Sequence, residues 1–314
     1  MDGHKKILTI VIPVHNRAGI VGRTLASIAH QEGMELVDII LVDNNSTDHT
    51  PAELKKWVAD NPGISAAILS EPLQGACAAR NRGLRAVSTP WTMFFDSDDE
   101  MLPGLLADLL REITAAPEAD IIGWDITIGL QDGRTKTGRY AIDNPLWNHL
   151  MHGSLSTQRY ACRTDLFRSV GGWDNDVTCW NDYELGVRLL MTNPRMRKLN
   201  GGPRVLTHFT PGSITGFNHI SNASGREYSL DRCEASLIAN NKKEAAIWID
   251  ARRIILAAQY KIEGDGKLAK RLKSATLRGK SAKLRLFLRL LYFKHLIYQR
   301  GTAKLGSWLI DNRL

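Results

Sequence analysis

The chain has 314 residues, of which 43% are hydrophobic and 24% charged, and a net charge of +8. That is the make-up of a folded globular protein, with material for one large domain or two smaller ones. No uncharged apolar run reaches the eighteen or so residues of a membrane span. Cys77, Cys162, Cys179 and Cys233 form no Cys-x-x-Cys pair, so neither a zinc site nor a disulfide framework is indicated.

The first residues lead straight into a strand pattern without a signal-peptide cleavage pattern, and a cytoplasmic location is expected. Ile7 to Val14 is an apolar run with Pro13 breaking it near its end, closed by His15-Asn16-Arg17. A helical pattern follows through Ile20, Leu25 and Ile28, then a second strand from Leu36 to Val42 that ends in Asp43-Asn44-Asn45-Ser46-Thr47-Asp48. Thr50, Pro51 and Glu53 read as cap, first-turn proline and capping-box partner of the next helix. A third strand near Ile64 to Leu69 leads to Ala79-Arg80-Asn81-Arg82-Gly83, and a fourth, Trp91 to Phe95, runs into Asp96-Ser97-Asp98-Asp99. Strands alternating with helices predict a mostly parallel α/β sheet covered on both faces. The polar strand ends then gather along one edge, where such sheets bind ligands. There is no Gly-x-Gly-x-x-Gly and no Gly-Lys-Ser/Thr loop, which argues against a dinucleotide or P-loop site.

Three carboxylates in four residues need a reason. Two of them about 4 Å apart repel by roughly 4 kcal/mol at an effective dielectric of 20. A hard divalent cation, Mn²⁺ or Mg²⁺, is the natural one; the plainer reading is a turn whose Asp side chains cap the next helix. Beyond Ile121 to Ile128, Asp132-Gly133 signals a hairpin, Gly171-Gly172-Trp173-Asp174 a turn, and Trp180-Asn181-Asp182-Tyr183-Glu184 the start of a helix. Val205 to Thr207 reads as a strand delivering His208, and residues 210–227 as a mobile loop.

Together these motifs, in this order and spacing, resemble family 2 glycosyltransferases over roughly residues 5 to 216. The resemblance implies a GT-A fold, a nucleotide-sugar donor, a divalent metal and transfer with inversion at the anomeric carbon. It implies a catalytic domain over 1–222, with a nucleotide-sugar half to about 125 and an acceptor half beyond, followed by a basic helical region over 223–314. By position in the motifs, Asp182 is the expected catalytic base. Asp98, with Asp96, Asp99 and His208, is expected at the metal. Pro13, Asn16, Asp43, Asn44, Arg80, Asp96 and Ser97 are expected at the donor, a UDP-sugar. Two positions depart from the common pattern. Asn44 stands where the second Asp of an Asp-Asp pair is usual, and an amide both donates and accepts. Asn181 stands where Glu commonly precedes the base. The bland alternatives are a solvated helix arginine for Arg80, a loop histidine for His208 and a helix cap for Asp182.

The basic character lies in the tail. Residues 266–304 hold twelve Lys or Arg and no acidic residue, against +8 for the whole chain. Ser229 to Tyr260 reads as one long helix. Lys283 to Tyr298 reads as a helix whose charges fall in two sectors, either packed on the catalytic domain or lying in the plane of an anionic membrane. The expected partners are thus the donor, a glycan or lipid-linked glycan acceptor, and an anionic inner membrane surface met through 266–304. A rival sugar-nucleotide synthase would want a Gly-rich signature loop after the first strand, which His15-Asn16-Arg17-Ala18 is not. A nucleic-acid-binding protein would use the basic tail but leave the Asp cluster unexplained, and no nucleic acid is expected. A further alternative is a catalytically inactive nucleotide-sugar-binding domain whose basic tail binds a membrane or nucleic acid, which Asp182→Asn would distinguish from an enzyme.

Overall fold

The strand β1 (Leu8–Val14) sends Leu8, Ile10, Ile12 and Val14 into one hydrophobic cluster and Val11 into another. Alternate residues of a strand face opposite sides of a sheet, so β1 is buried on both faces, as a central parallel strand must be. Each such fully buried side chain contributes roughly 1.5–3 kcal/mol. The rest of the sheet grows outward from it.

In the computed structural model, which describes residues 5–209 and 219–299, β1 is followed by α1 (Val21–Ala29), β2 (Val37–Asp43), α2 (Thr50–Asp60) and β3 (Ala66–Ser70). Next come α3 (Ala76–Ala86), β4 (Trp91–Phe94), β5 (Glu100–Met101), α4 (Leu105–Ala115), β6 (Ile121–Gly123), β7 (Ile126–Gly129) and β8 (Thr135–Gly138). Then follow α5 (Pro145–His152), β9 (Tyr160–Arg163), α6 (Thr164–Ser169), α7 (Asn181–Met191), β10 (Met196–Lys198) and β11 (Val205–Thr207). The remainder is helical: α8 (Ala223–Ala239), α9 (Ala246–Ile262), α10 (Gly266–Leu277) and α11 (Ala282–Tyr298).

Seven strands form the main sheet in the order β10-β6-β9-β4-β1-β2-β3. All run parallel except β9, which is antiparallel to β4 and β6. That reversal brings the residues just before β9, Gln158 and Arg159, to the edge where β1, β2 and β4 end. A second sheet, β5-β11-β7-β8, carries the hairpin expected at Asp132-Gly133.

Pro13 does not break β1, which stays in register with β2 to Val14 opposite Asp43. Phe95 N–H donates to Val11 O at 3.0 Å on the β4 side, and Asn44 N–H to Val14 O at 2.8 Å on the β2 side. Pro13 therefore turns its missing N–H toward β4, beyond the last ladder bond there, where a proline is tolerated.

The single helix expected over Ser229 to Tyr260 is two. After α8, Asn241 takes a left-handed conformation at φ 57°, with Asn241 N–H on Ile238 O and Lys242 N–H on Leu237 O. This is the Schellman pattern, and asparagine is the residue after glycine that best accepts it. Part of the expected 210–227 loop is helical from Ala223, while 210–218, Arg300 and Lys304 lie outside the described residues. A third cluster joins Leu150, Met151, Tyr183 and Val187 of α5 and α7 to α8, α9, α10 and α11. Of the tail aromatics, Phe287 and Tyr292 pack into it, whereas Phe293 and Tyr298 are exposed. Among the described residues no helix is long and apolar enough to cross a membrane.

Helix α3 lies against β1 and β2 at Gly83, where a Cβ would strike the Val11 side chain and approach Val42 Cγ2 to 3.3 Å. Gly83→Ala should lower stability by about 1–3 kcal/mol through overpacking, measured as a lower denaturant midpoint at unchanged slope. An unchanged midpoint would mean that α3 has room to withdraw.

Candidate active site

The loops after β1 and β2 are laced together. Asn16, in a left-handed conformation at φ 49°, accepts Thr47 N–H on Oδ1 at 2.8 Å and donates its own N–H to Ser46 Oγ at 3.0 Å. Thr50 Oγ1 accepts Arg17 N–H at 2.7 Å, Asp48 Oδ2 accepts Ala18 N–H at 3.1 Å, and Glu53 accepts Gly19 N–H at 2.9 Å. The expected capping box is absent, because Thr50 lies inside α2 and spends its hydroxyl, with Glu53, on the neighbouring loop; Asp48 takes Thr50 N–H instead, at 2.9 Å.

Asp43 and Asn44 have different duties. The Asn44 amide donates to Glu71 O at 2.9 Å and Leu73 O at 2.7 Å and accepts Gly75 N–H at 2.8 Å. Its side chain is buried and used up bracing the loop into α3, so it is not free to read a base, contrary to expectation. A carboxylate could not make the two donations. Asp43 Oδ1 is buried and has no hydrogen-bond partner among the described residues. A buried acceptor left open needs a donor from elsewhere. Pro13 is half-buried beside it at the end of β1.

Arg80 is neither solvated nor idle. It is 6% exposed, its guanidinium carbon sits 4.4 Å from the Trp173 ring centroid, Nη2 donates to Asp96 Oδ1 at 2.8 Å and Nη1 to Asn181 Oδ1 at 3.3 Å. One side chain thus ties the acidic motif after β4 to the first turn of α7.

The acidic motif is divided in its contacts. Asp98 Oδ2 lies 3.5 Å from Arg17 Nη2, and its carbonyl accepts Arg23 Nη2 at 2.8 Å. Ser97 is buried in the turn. Asp99 is buried and accepts Gln158 Nε2 at 2.7 Å and His208 N–H at 3.0 Å. Burial first, then the charges of Asp96 and Asp98, push its carboxyl up to about 8. His208 donates Nε2–H to Glu100 Oε1 at 2.6 Å. The four expected metal ligands do not form a ready cage: among the described residues no three His, Cys, Asp or Glu side chains are set to hold one ion. Asp99 instead braces the second sheet. The chemistry of the donor set still suits a hard cation, because Mg²⁺-like ions take one or two carboxylates and fill the remainder with substrate phosphate and water, and Asp98 and Asp96 each face an arginine, Arg17 and Arg80, on this edge.

Asp182 is the second residue of α7, two positions after Trp180, which is held at φ 56°, a conformation that costs a non-glycine residue on the order of 1–3 kcal/mol. Trp180 O accepts Glu184 N–H at 3.0 Å and Ser229 Oγ–H at 3.1 Å, and the Arg252 guanidinium covers the indole at 5.1 Å. Packing therefore over-determines the strained residue. Asp182 Oδ1 accepts Tyr183 N–H at 2.8 Å, although the N-cap position of α7 is Trp180. Burial raises the Asp182 carboxyl from its ordinary value, against the downward pull of Arg80. The next residue is pinned from below: His149 Nε2–H donates to Tyr183 O at 2.8 Å and Nδ1 accepts Leu155 N–H at 3.1 Å.

Sequence reasoning missed Arg17, Gln158, Trp173, Glu100 and His149. Arg17 and Glu100 stand inside or beside quoted motifs and could have been paired by sign. Trp173 stands in the quoted double-glycine turn, with nothing there to pair it with Arg80, and Gln158 and His149 come from distant elements and have no spacing signal.

The geometry is that of an α/β domain whose strand-end loops gather polar side chains along one sheet edge, tied through Arg80 to the first turn of α7. The family model for glycosyl transferase family 2 matches residues 9–164, and the chain carries a domain of that family. The Mycobacterium tuberculosis pre-mycofactocin glycosyltransferase is 29% identical over 201 residues, covering 60% of this chain and 40% of that protein. A Campylobacter jejuni GalNAc(5)-diNAcBac-PP-undecaprenol beta-1,3-glucosyltransferase is 30% identical over 105 residues, covering 33% of this chain and 34% of that one. The chain thus spans well under two thirds of these relatives. Staphylococcus aureus TarS 1–349 in complex with UDP-GlcNAc superposes with a TM-score of 0.72 at 13% identity, over 98% of this chain and 92% of that one. The mannosyltransferase PcManGT of Pyrobaculum calidifontis, in complex with GDP-Man and Mn²⁺, gives 0.61 at 17% identity, over 98% and 86%. The fold is GT-A with a helical C-terminal region.

His149 yields a pH prediction. Burial pushes its imidazole down to about 4 from 6.5, so between those values the unfolded chain binds a proton that the folded chain refuses. Stability should be whole above about pH 6.5 and fall as the pH drops toward 4. His149→Gln should lower the thermal midpoint at pH 7.5 and flatten this acid slope. An unaltered slope would assign it to other histidines.

Proposed function

We propose that the chain is a metal-dependent, inverting glycosyltransferase that moves a sugar from a nucleotide donor, a UDP-sugar, to a hydroxyl of a glycan or lipid-linked glycan in surface polysaccharide synthesis. The observation that carries this reading is the Arg80 bridge, which sets the donor-side Asp96 and the first turn of α7, with Asp182 next to Asn181, at fixed separation. The open Asp43 oxygen supports a donor whose base or ribose supplies an N–H or O–H. One relative, named for an undecaprenol-linked glycan, and a fold neighbour holding UDP-GlcNAc support the same acceptor and donor classes.

In the proposed reaction the acceptor oxygen bonds the anomeric carbon as the bond to the diphosphate breaks on the opposite face. Asp182 takes the acceptor's proton, and its raised carboxyl suits that role better than an ordinary aspartate would. Asn16 and Pro13 border the nucleoside side of the pocket, with Ser97 in the floor of the acidic turn. Mn²⁺ or Mg²⁺ would be held by Asp98 and Asp96 with the donor's diphosphate, and would offset the charge gathering on the leaving group. His208, its Nε2 held by Glu100 Oε1 at 2.6 Å, would be the imidazole available to that ion, since a carboxylate on one ring nitrogen fixes the ring's orientation for the other. Arg17, beside Asp98, adds a cation to the diphosphate side. The work is done at the inner membrane face, with the 266–304 segment against anionic lipid.

Calorimetry with UDP, GDP, dTDP and CMP, with and without Mn²⁺, should give metal-dependent binding of UDP alone, lost in Asp98→Ala. Binding of none of the four would remove the assignment. Asp182→Asn should lower turnover by about 10²–10⁴-fold while donor affinity stays within about twofold. Equal loss of affinity would make Asp182 a structural cap.

A further inference from the structure

Helix α11 has two apolar faces. Phe287, Leu288, Leu291 and Tyr292 pack inward against the helical cluster. On the other side Leu286, Leu290, Phe293 and Ile297 are 60%, 56%, 56% and 70% exposed. At the helical repeat these four fall within an arc of about 60°, opposite the packed face. Arg285 and Arg289 border that arc on one side and Lys283 on the other, all three exposed. The two charged sectors read from the sequence are thus the two borders between a core face and an outward face.

Four large apolar side chains aligned in the open call for an occupant. From 266 to 299 the chain has ten Lys or Arg and no Asp or Glu. Arg271 is taken by Glu227 and Lys280 by Asp250, but Lys267, Lys270, Arg278, Lys283, Arg285 and Arg289 remain exposed. A second copy of the chain would bring like charges together along both borders. A leaflet offers the complement: anionic headgroups for the basic borders and hydrocarbon for the arc between them, with the long basic stems lying along the apolar surface.

We propose that the outward face of α11 is a docking surface for an anionic lipid bilayer, with α11 lying in the membrane plane and the Leu286, Leu290, Phe293 and Ile297 arc immersed. This names the surface by which the enzyme meets its membrane, and rests on the glycosyltransferase reading for its purpose but not for the binding itself. Attachment holds the catalytic domain beside lipid-borne acceptors and turns their capture into a search in two dimensions.

The test is co-sedimentation of the full chain with phosphatidylcholine vesicles, with and without phosphatidylglycerol, at low and high salt. Partition onto the anionic vesicles alone, weakened by salt, is expected. Leu290→Glu with Ile297→Glu should lower it on the order of 100-fold, and Arg285→Gln with Arg289→Gln about 25-fold, at roughly fivefold per residue. Circular dichroism and UDP binding should not change, since both pairs lie on the exposed side of α11, whose inner side packs on the helical cluster, and none is a proposed site residue. Equal partition onto neutral and anionic vesicles, or full binding by the Leu290/Ile297 variant, would overturn the proposal. So would a dimer that the Leu290/Ile297 substitutions dissociate, or an arc covered by the chain's own 300–314 segment, seen as vesicle binding only after that segment is removed. Failure of UDP to bind, with vesicle binding intact, would instead count against the catalytic reading.

Discussion

The buried guanidinium of Arg80 is the constraint on which the site depends. Out of water, a cation is tolerated only with partners, and here they are the Asp96 carboxylate, the Asn181 amide and the face of Trp173. Each comes from a different part of the chain. The strand end that carries the acidic turn, the helix that carries Asp182 and the double-glycine turn before it are fixed relative to one another by one planar group. A lysine could not reproduce this, since it lacks both the fork and the flat face. Gly83 completes the arrangement by letting α3 lie close enough to β1 for Arg80 to reach the strand ends.

Around that centre, polar side chains hold loops more often than they face open space. Asn16, Asp48, Thr50 and Glu53 join the first two loops, while Asp99, Gln158 and His208 join the two sheets. The strain at Trp180 is held by Ser229 of α8 and the stacked Arg252 of α9. The C-terminal helices therefore shape the first turn of α7 as well as extending the molecule.

Much of this was legible in the sequence where one physical rule dominates. Apolar runs ending in polar clusters located the parallel strands and their functional edge, and Asp132-Gly133 and Gly171-Gly172 marked real turns. Pro13 misled because proline's cost depends on which neighbour its nitrogen faces, and periodicity does not record that. The single long helix failed at Asn240-Asn241, where a left-handed asparagine supplied a stop that apolar spacing hides. The acidic cluster was found, but not its division of labour. Whether a carboxylate meets a cation, an amide or a backbone N–H is decided by Gln158, Arg80 and His208, which arrive from other elements. The charge sectors of α11 were visible too, yet only the packed neighbour tells which apolar face is inside.

Asn44 has a consequence for how such a site could change. Its amide holds Glu71, Leu73 and Gly75, and Gly75 is the residue from which α3 starts, five positions before Arg80. Residue 44 is thus a hinge pin between the end of β2 and the start of α3 rather than a surface open to a ligand. A lineage replacing it would have to rebuild the loop beneath it in the same step, whereas Asp43, whose Oδ1 has no partner among the described residues, takes no part in that brace through that oxygen.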